Sequence, residues 1–287
     1  MRRTTLLKQY ILAPEILVIP GVPDPLCARM AQKVGFRAVF VSGYAASAAL
    51  LGAPDVGLLT LSEMVDCAWR IVDAVEIPVF ADGDTGHGNV TNAIRTVRQF
   101  EKAGVAALFL EDQVAPKRCG HMTGKQVVPP EEMIAKLHAA VDTRTDPDMM
   151  LMARTDALAV NGIEDAIERM HRYVEAGADM AFIEAPESVE QMRRITREIA
   201  APHLANMVPG GKSPSLTAAE LQELGFACVA HPTALTYTVA RSARDLLRHL
   251  LETGGTQAME SGMMQFDEFN DLIGLEEVRA RERRYAS

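Results

Sequence analysis

No stretch of this sequence reaches the roughly 18 consecutive apolar residues that a membrane-spanning helix requires. Its first residues, MRRTTLLKQYILAPEILVIPG, begin with charge but break the apolar stretch at Lys8, Gln9, Pro14 and Glu15, so they make a poor signal peptide. The expectation is a cytoplasmic protein with no membrane partner. Cysteine is scarce: the four at positions 27, 67, 119 and 228 form no CxxC pair, which removes the short metal-binding spacings and gives no disulfide framework. Basic residues are outnumbered, 29 against 38 acidic, and the net charge of -9 argues against nucleic acid as a partner. A small anionic substrate remains open, because it responds to local charge and not to this total. No GxGxxG follows the first apolar run, and GHGN at 86–89 lacks the pattern of a dinucleotide fingerprint.

What the chain does have is repetition. Eight short apolar runs recur: ILVIP (16–20), AVFVSG (38–43), PVFADGD (78–84), ALFLED (107–112), MLMARTD (150–156), MAFIEA (180–185), HLANM (203–207) and ACVAHP (227–232). Amphipathic helical segments such as LSEMVDCAWRIVDAV, NAIRTVRQFEKAG, PEEMIAKLHAAV and IEDAIERMHRYVEAG lie between them. The phrases EKAGVAALFL, VEAGADMAFI and QELGFACVA share one rhythm of helix, capping glycine and strand. Strands that read as continuously apolar belong to a parallel sheet covered on both faces. Eight such units predict a (β/α)8 TIM barrel over 1–250, with a helical extension over 251–287 that packs on the barrel or on a partner subunit. A doubly wound Rossmann sheet is the competing arrangement.

Polar residues collect where the apolar runs end, and in a barrel those ends form one rim, the face on which such folds carry their sites. Asp82 and Asp84 stand at alternate positions and face the same way if the strand continues through them, and Glu111 ends the next run. Three carboxylates there suit Mg²⁺, with Mn²⁺ as a substitute, since both prefer oxygen ligands and keep waters that a substrate can replace. Arg154 offers a fork for a substrate carboxylate, or else a salt bridge to Asp156 or Glu184. Asn206 can donate to a second carboxylate, while Lys117 and Lys212 bring charge from loops. His87 has no companion histidine at a ligating spacing and reads as loop support.

The segments FADGDTGHGN, LEDQVAPKRCGHMTGKQVVPPEEM, MARTDALAV, YVEAGADMAFIEAPES and LANMVPGGKSP resemble the isocitrate lyase and phosphoenolpyruvate mutase superfamily over nearly the whole chain. The similarity is greatest to its short-chain members, which include 2-methylisocitrate lyases, 2,3-dimethylmalate lyases and carboxyphosphonoenolpyruvate mutases. That resemblance implies a Mg²⁺-dependent barrel whose eighth helix swaps between paired subunits, and a homo-oligomer built as a dimer of dimers. It places Asp55 with Asp82, Asp84 and Glu111 in the metal environment, and Ser42, Gly43, Lys117, Gly120, Arg154, Glu184 and Asn206 around a small carboxylate substrate. Cys119 matches the general acid of the lyases.

The expected reaction is therefore cleavage of a 2-hydroxy di- or tricarboxylate, such as 2,3-dimethylmalate or 2-methylisocitrate, into pyruvate or another 2-oxo acid and a carboxylic acid. Cys119 would protonate the carbanion, with Lys117, Arg118 and His121 as cationic neighbours that tune the thiol or hold the substrate's other carboxylate. The sequence also departs from the family lyases. Phe40 stands where they carry a tyrosine, Tyr44 where a small residue is usual, and NMVPGGKSP where methylisocitrate lyases carry a glutamate and a phenylalanine. Tyr44 and His121 are accordingly candidates for the remaining acid–base work, and a smaller malate derivative is favoured over a tricarboxylate. Phosphonomutase chemistry, oxaloacetate hydrolysis or decarboxylation, and a non-catalytic binding barrel are the alternatives.

Overall fold

A computed structural model describes residues 1–286. All eight apolar runs form parallel strands: β1 (Leu17–Val22), β2 (Val39–Val41), β3 (Val79–Asp82), β4 (Ala107–Glu111), β5 (Met150–Thr155), β6 (Met180–Ile183), β7 (Leu204–Asn206) and β8 (Cys228–His231). The order β6-β5-β4-β3-β2-β1-β8-β7 runs around a barrel. Its last gap is bridged where Ala181 meets His203, with Ala181 N–H donating to the Pro202 carbonyl at 2.9 Å. The Rossmann alternative is thereby excluded, because β1 is flanked by β2 and β8 and the sheet curls nearly shut.

Helices form where predicted, and local signals fix their ends. Thr60 and Glu63 make a capping box before the helix Leu61–Ala74, and Asn89 and Asn92 do the same before Val90–Ala103. Gly104, at φ 87°, ends the latter helix in a left-handed conformation that costs any other residue strain. No helix among the described residues is long and apolar enough to cross a membrane.

Two apolar layers follow from the alternation along each strand. Outward side chains such as Val41, Val79, Leu108, Leu151 and Ile183 pack under the helices. Inward ones, including Phe40, Phe80, Phe109, Met152, Phe182 and Leu204, fill the barrel itself. The helix Arg3–Ile11, which the sequence reading did not anticipate, closes the N-terminal mouth by inserting Leu7 and Ile11 into that inner layer. Thr4 and Thr5 tie it down through hydrogen bonds to Asp146 and Asp148 at 2.7 and 2.6 Å.

Beyond β8 the helix Ala234–Thr253 crosses position 250, and the short helices Phe266–Leu272 and Leu275–Tyr285 follow it. The long helix buries none of its residues, and Leu251 is 88% exposed.

Candidate active site

The C-terminal mouth is lined by Ser42, Tyr44, Asp55, Asp82, Cys119, Gly120, His121, Arg154, Glu184 and Asn206 over an apolar floor of Phe40, Phe109, Phe182, Leu204 and Ala230. Strand geometry selects which side chains enter it. At the end of β4, Glu111 faces inward and its neighbour Asp112 faces the helix Ile163–Glu175, where Tyr173 donates to it at 2.9 Å. Along β5, Arg154 and Asp156 share the inner side while Thr155 donates outward to Asp112 at 2.6 Å.

The three carboxylates are gathered, but not as a strand would present them. β3 ends at Asp82, and Asp84 takes φ 48°, so the chain turns instead of continuing the alternation. Asp84 N–H donates back to Asp82 Oδ1 at 2.9 Å, and Asp82 Oδ2 accepts from Gly43 N–H at 3.1 Å. Asp55 and Asp84 share the buried Lys117 ammonium, at 2.6 and 2.7 Å. Lys117 thus serves as an internal counter-ion, not as a free cation brought in by a loop.

Among the described residues no three His, Cys, Asp or Glu side chains converge tightly enough to hold an ion by themselves. The donor set nevertheless fits a hard, partly hydrated cation. Both Glu111 oxygens are buried without a hydrogen-bond partner, and the nearest cation, Arg154 Nε at 3.3 Å, lies outside hydrogen-bond geometry. Burial, followed by the Asp84 carboxylate, pushes Asp82 up to about 7, and burial raises Glu111 well above the usual carboxylate range against the pull of Arg154 and Lys117. Two acidic groups so uncomfortable in their ionised form are what a divalent ion and its waters relieve.

Arg154 is held before any ligand arrives. Its Nε and Nη2 donate to Asp156 at 2.9 and 3.3 Å, Nη2 lies 3.5 Å from Glu184, and its plane rests over the Phe109 and Phe182 rings. The salt bridges to Asp156 and Glu184 are both present, and Nη1 makes no hydrogen bond within the described residues. Glu184 is the buried hub beneath: it accepts from Asn206 Nδ2 at 3.3 and 3.2 Å and lies 3.1 Å from His121 Nε2. The Asn206 amide thus already donates to Glu184 while its side chain lines the mouth. His121 Nδ1 accepts from the Lys212 backbone at 3.0 Å, whereas the Lys212 ammonium lies 3.6 Å from Glu187; Lys212 contributes its backbone and not its charge.

The loop after β4 carries Cys119 over the mouth. Cys119 N–H donates to the Asp55 carbonyl at 3.1 Å, and Gly120 follows so closely against the rim that an added Cβ would lie 2.4 Å from Glu184 and 2.6 Å from Arg154. The expected cationic surroundings of the thiol do not materialise. Lys117 is consumed by carboxylates, and exposed Arg118 donates to the Thr123 carbonyl. Burial instead raises the Cys119 pKa, partly offset by a backbone hydrogen bond from His121, with Glu184 and Asp55 adding to the rise. At neutral pH the group is therefore a protonated thiol and not an activated thiolate. Ser42 caps the helix Gly43–Leu51 by accepting from Ala45 N–H at 3.4 Å, while Tyr44 pairs with the Tyr237 hydroxyl at 3.4 Å. That hydrogen bond, then burial, raises Tyr44 to about 12. His87 lines no part of this mouth; it sits half-buried at φ 57° in the turn after β3, as loop support would.

A family model for phosphoenolpyruvate phosphomutase matches residues 7–251. The chain belongs to the phosphoenolpyruvate phosphomutase family. Among its relatives, the 2,3-dimethylmalate lyase of Eubacterium barkeri is 48% identical over 100% of this chain and 99% of its own length. The 2-methylisocitrate lyase of Aeropyrum pernix is 42% identical over 96% of this chain and 89% of its own. Of solved structures, oxaloacetate acetylhydrolase with 3,3-difluorooxalacetate superposes with a TM-score of 0.94 at 33% identity, covering 99% of this chain and 97% of that one. Phosphonopyruvate hydrolase with oxalate and Mg²⁺ gives 0.90 at 29% identity over 100% of both chains. The family thus carries several chemistries on one barrel, so the choice among them rests on the residues of this phosphomutase-family rim.

Sequence reasoning passed over Lys125 and counted Asp112 only among the polar strand ends of the rim, whereas it faces the outer layer. Lys125 is buried, 2.7 Å from Asp156, and Asp112 accepts from Asp156 N–H at 3.0 Å. The signal for Asp112 was present in the LED and RTD endings, where adjacent polar residues must face opposite sides of the sheet. For Lys125, at the far end of a long loop, no local pattern marks it.

Proposed function

We propose that this protein is a Mg²⁺-dependent carbon–carbon lyase that cleaves a methyl-substituted malate, of the 2,3-dimethylmalate type, into pyruvate and a short carboxylic acid. The observation that carries the proposal is the placement of Cys119 in the lining of the mouth, beside a Gly120 that packs against Arg154 and Glu184. The names of the relatives support the class, and the rim supports the substrate size. Its lining holds one arginine, Lys117 is neutralised by Asp55 and Asp84, and the floor is apolar. One arginine clamp beside a metal suits two carboxylates and methyl groups better than three carboxylates.

Asp82, Asp84 and Glu111, with Asp55 behind Lys117, would hold Mg²⁺, which when bound supplies charge stabilisation for the oxygens of the 2-oxo acid end. Arg154 Nη1 holds that end by its carboxylate, and the Asp156 fork keeps the guanidinium from swinging. The C2 hydroxyl proton passes to water, the C2–C3 bond breaks, C2 becomes the carbonyl of the 2-oxo acid, and the bonding pair passes to C3; the thiolate left once C3 is protonated recovers a proton from solvent. Cys119 delivers a proton to C3. Tyr44, neutral up to about 12, suits hydrogen-bond donation on this rim better than proton removal. A lactate dehydrogenase-coupled assay over 2,3-dimethylmalate, 2-methylmalate, 2-methylisocitrate and isocitrate, with and without Mg²⁺, tests this; pyruvate from the first only with metal is expected, and no turnover by metal-loaded protein sinks it.

Oxaloacetate hydrolysis is the second reading, favoured by the 0.94 TM-score to oxaloacetate acetylhydrolase. Direct monitoring of oxaloacetate loss separates the two. The protein is further proposed to be a homo-oligomer in which the helix Ala234–Thr253 docks on a partner subunit, since Val239, Leu247 and Leu251 stand exposed along it. Light scattering that finds a stable monomer at micromolar concentration refutes this.

A further inference from the structure

The Cys119 loop leaves the barrel at Gln113 and returns at Val127, where the two residues pair as an antiparallel bridge. Within that excursion local contacts include the Gln113 side chain, which accepts from Arg118 N–H at 3.0 Å and donates to its carbonyl at 2.9 Å, and Met122 N–H, which donates to the Cys119 carbonyl at 2.8 Å. The loop is tied to the barrel's other loops and strands at several points, among them Lys117 to Asp55 and Asp84 and His121 to the Lys212 N–H; two further contacts hold the thiol's own segment from outside and inside. Cys119 N–H meets the Asp55 carbonyl, and Lys125 Nζ donates to the Gly120 carbonyl while lying 2.7 Å from Asp156 Oδ1.

The inner contact is unusual in its cost. The Lys125 side chain is 2% exposed and Asp156 is fully buried, so both charges have been taken out of water for one another. An apolar side chain would fill the space at less expense, which makes stability a weak reason for a lysine here. Asp156 also divides itself: Oδ1 faces Lys125 and Arg154 Nη2, and Oδ2 receives Arg154 Nε. Its own backbone is fixed by Asp112, which Thr155, Tyr173 and Arg169 hold from the outer layer at 2.6, 2.9 and 3.3 Å. One immobilised carboxylate therefore sets the plane of the substrate clamp and the seat of the loop that bears the thiol.

We infer that Lys125 is a positioning residue, a latch that seats the Cys119 loop by joining the Gly120 carbonyl to the carboxylate that orients Arg154. Seating the thiol and orienting the clamp are then one event, which places the proton donor only where a carboxylate can be held. This rests on the roles assigned above to Arg154 and Cys119, but its test does not depend on turnover.

Iodoacetamide labelling of the full-length protein, mapped by peptide mass, reads the latch directly. Lys125→Met should speed alkylation of Cys119 by ~10-fold or more, because a loop with a weaker seat opens more often. Cys27, Cys67 and Cys228 are buried and serve as internal controls for unfolding, so they should stay unreactive. Lys125→Gln, which keeps an N–H donor without the charge, is read by the same rule if Lys125→Met does not fold. An unchanged Cys119 rate, a parallel rise at all four cysteines, or failure of both variants to fold would each overturn the latch and leave Lys125 a structural residue. Should the protein show no lyase activity on any substrate, a selective rise at Cys119 still establishes the latch, so the two failures are distinguishable.

Discussion

The two mouths of the barrel are built from the same eight strands and could hardly differ more. At the N-terminal mouth Leu7 and Ile11 complete an apolar plug, and the polar contacts lie outside it, on Asp146 and Asp148. At the C-terminal mouth Asp82, Glu111, Arg154, Asp156 and Glu184 are buried against one another. Apolar burial at one end can stabilise the fold without directional demands, at about 25 cal/mol per Å². The charges at the other end return little net stability after desolvation and require partners in fixed places. The barrel can carry so strained a rim because its floor and plug do not depend on it.

The largest effect should come from Arg154→Met, which leaves Asp156, Glu111 and Glu184 buried without their shared cation. Stability in denaturant melts should fall by ~3–5 kcal/mol, and turnover of the folded fraction should vanish. Cys119→Ser sharpens the contrast from the other side: turnover should drop by ~100-fold or more while the melting curve stays close to that of the parent, because only the proton donor is altered. At the opposite mouth Leu7→Ala should cost ~2–5 kcal/mol and leave KM and kcat of the folded protein unchanged. An equal loss of activity there would show that the two ends are not independent.

A smaller effect concerns pH. Burial alone would raise Asp156, but Arg154 and Lys125 outweigh it and hold the carboxyl at about 2 against its ordinary 3.8. A depressed folded-state pKa contributes stability above pH 3.8 that is lost as pH falls toward 2. Asp156→Asn should therefore be less stable at pH 7 and show a flatter acid limb between those values in pH-dependent melts. Least of all, Leu251→Ser, on the exposed helix, should change monomer stability by no more than ~0.5 kcal/mol. Any larger loss, if it depends on protein concentration, would place that helix in a subunit interface.

The strands were legible because each is a continuous apolar run bounded by turn residues, and the eight runs map onto the eight strands within a residue or two at most ends. The rim residues Asp82, Glu111 and Arg154 were legible because strand ends in a barrel share one face. The helix Arg3–Ile11 was not, since RTTLLKQYI holds two inward apolar positions, too few for a clear period. The pairing of Lys117 with Asp55 and Asp84 was hidden for another reason: the three residues lie on separate loops, and sequence carries no measure of the distance between them.

The sequence by itself determined the barrel, its apolar floor and the type of side chain that ends each strand, because strand periodicity acts on neighbours a few residues apart. Tertiary structure alone decided which charges are spent on each other. Whether Lys117 is a free cation or a counter-ion, whether Asp84 follows Asp82 or turns toward Lys117, and whether Cys119 is surrounded by cations or half-buried as a neutral thiol all depend on loops folding over the rim. There, desolvation and a few ångströms of separation fix protonation and pairing, and neither is encoded in the spacing of residues along the chain.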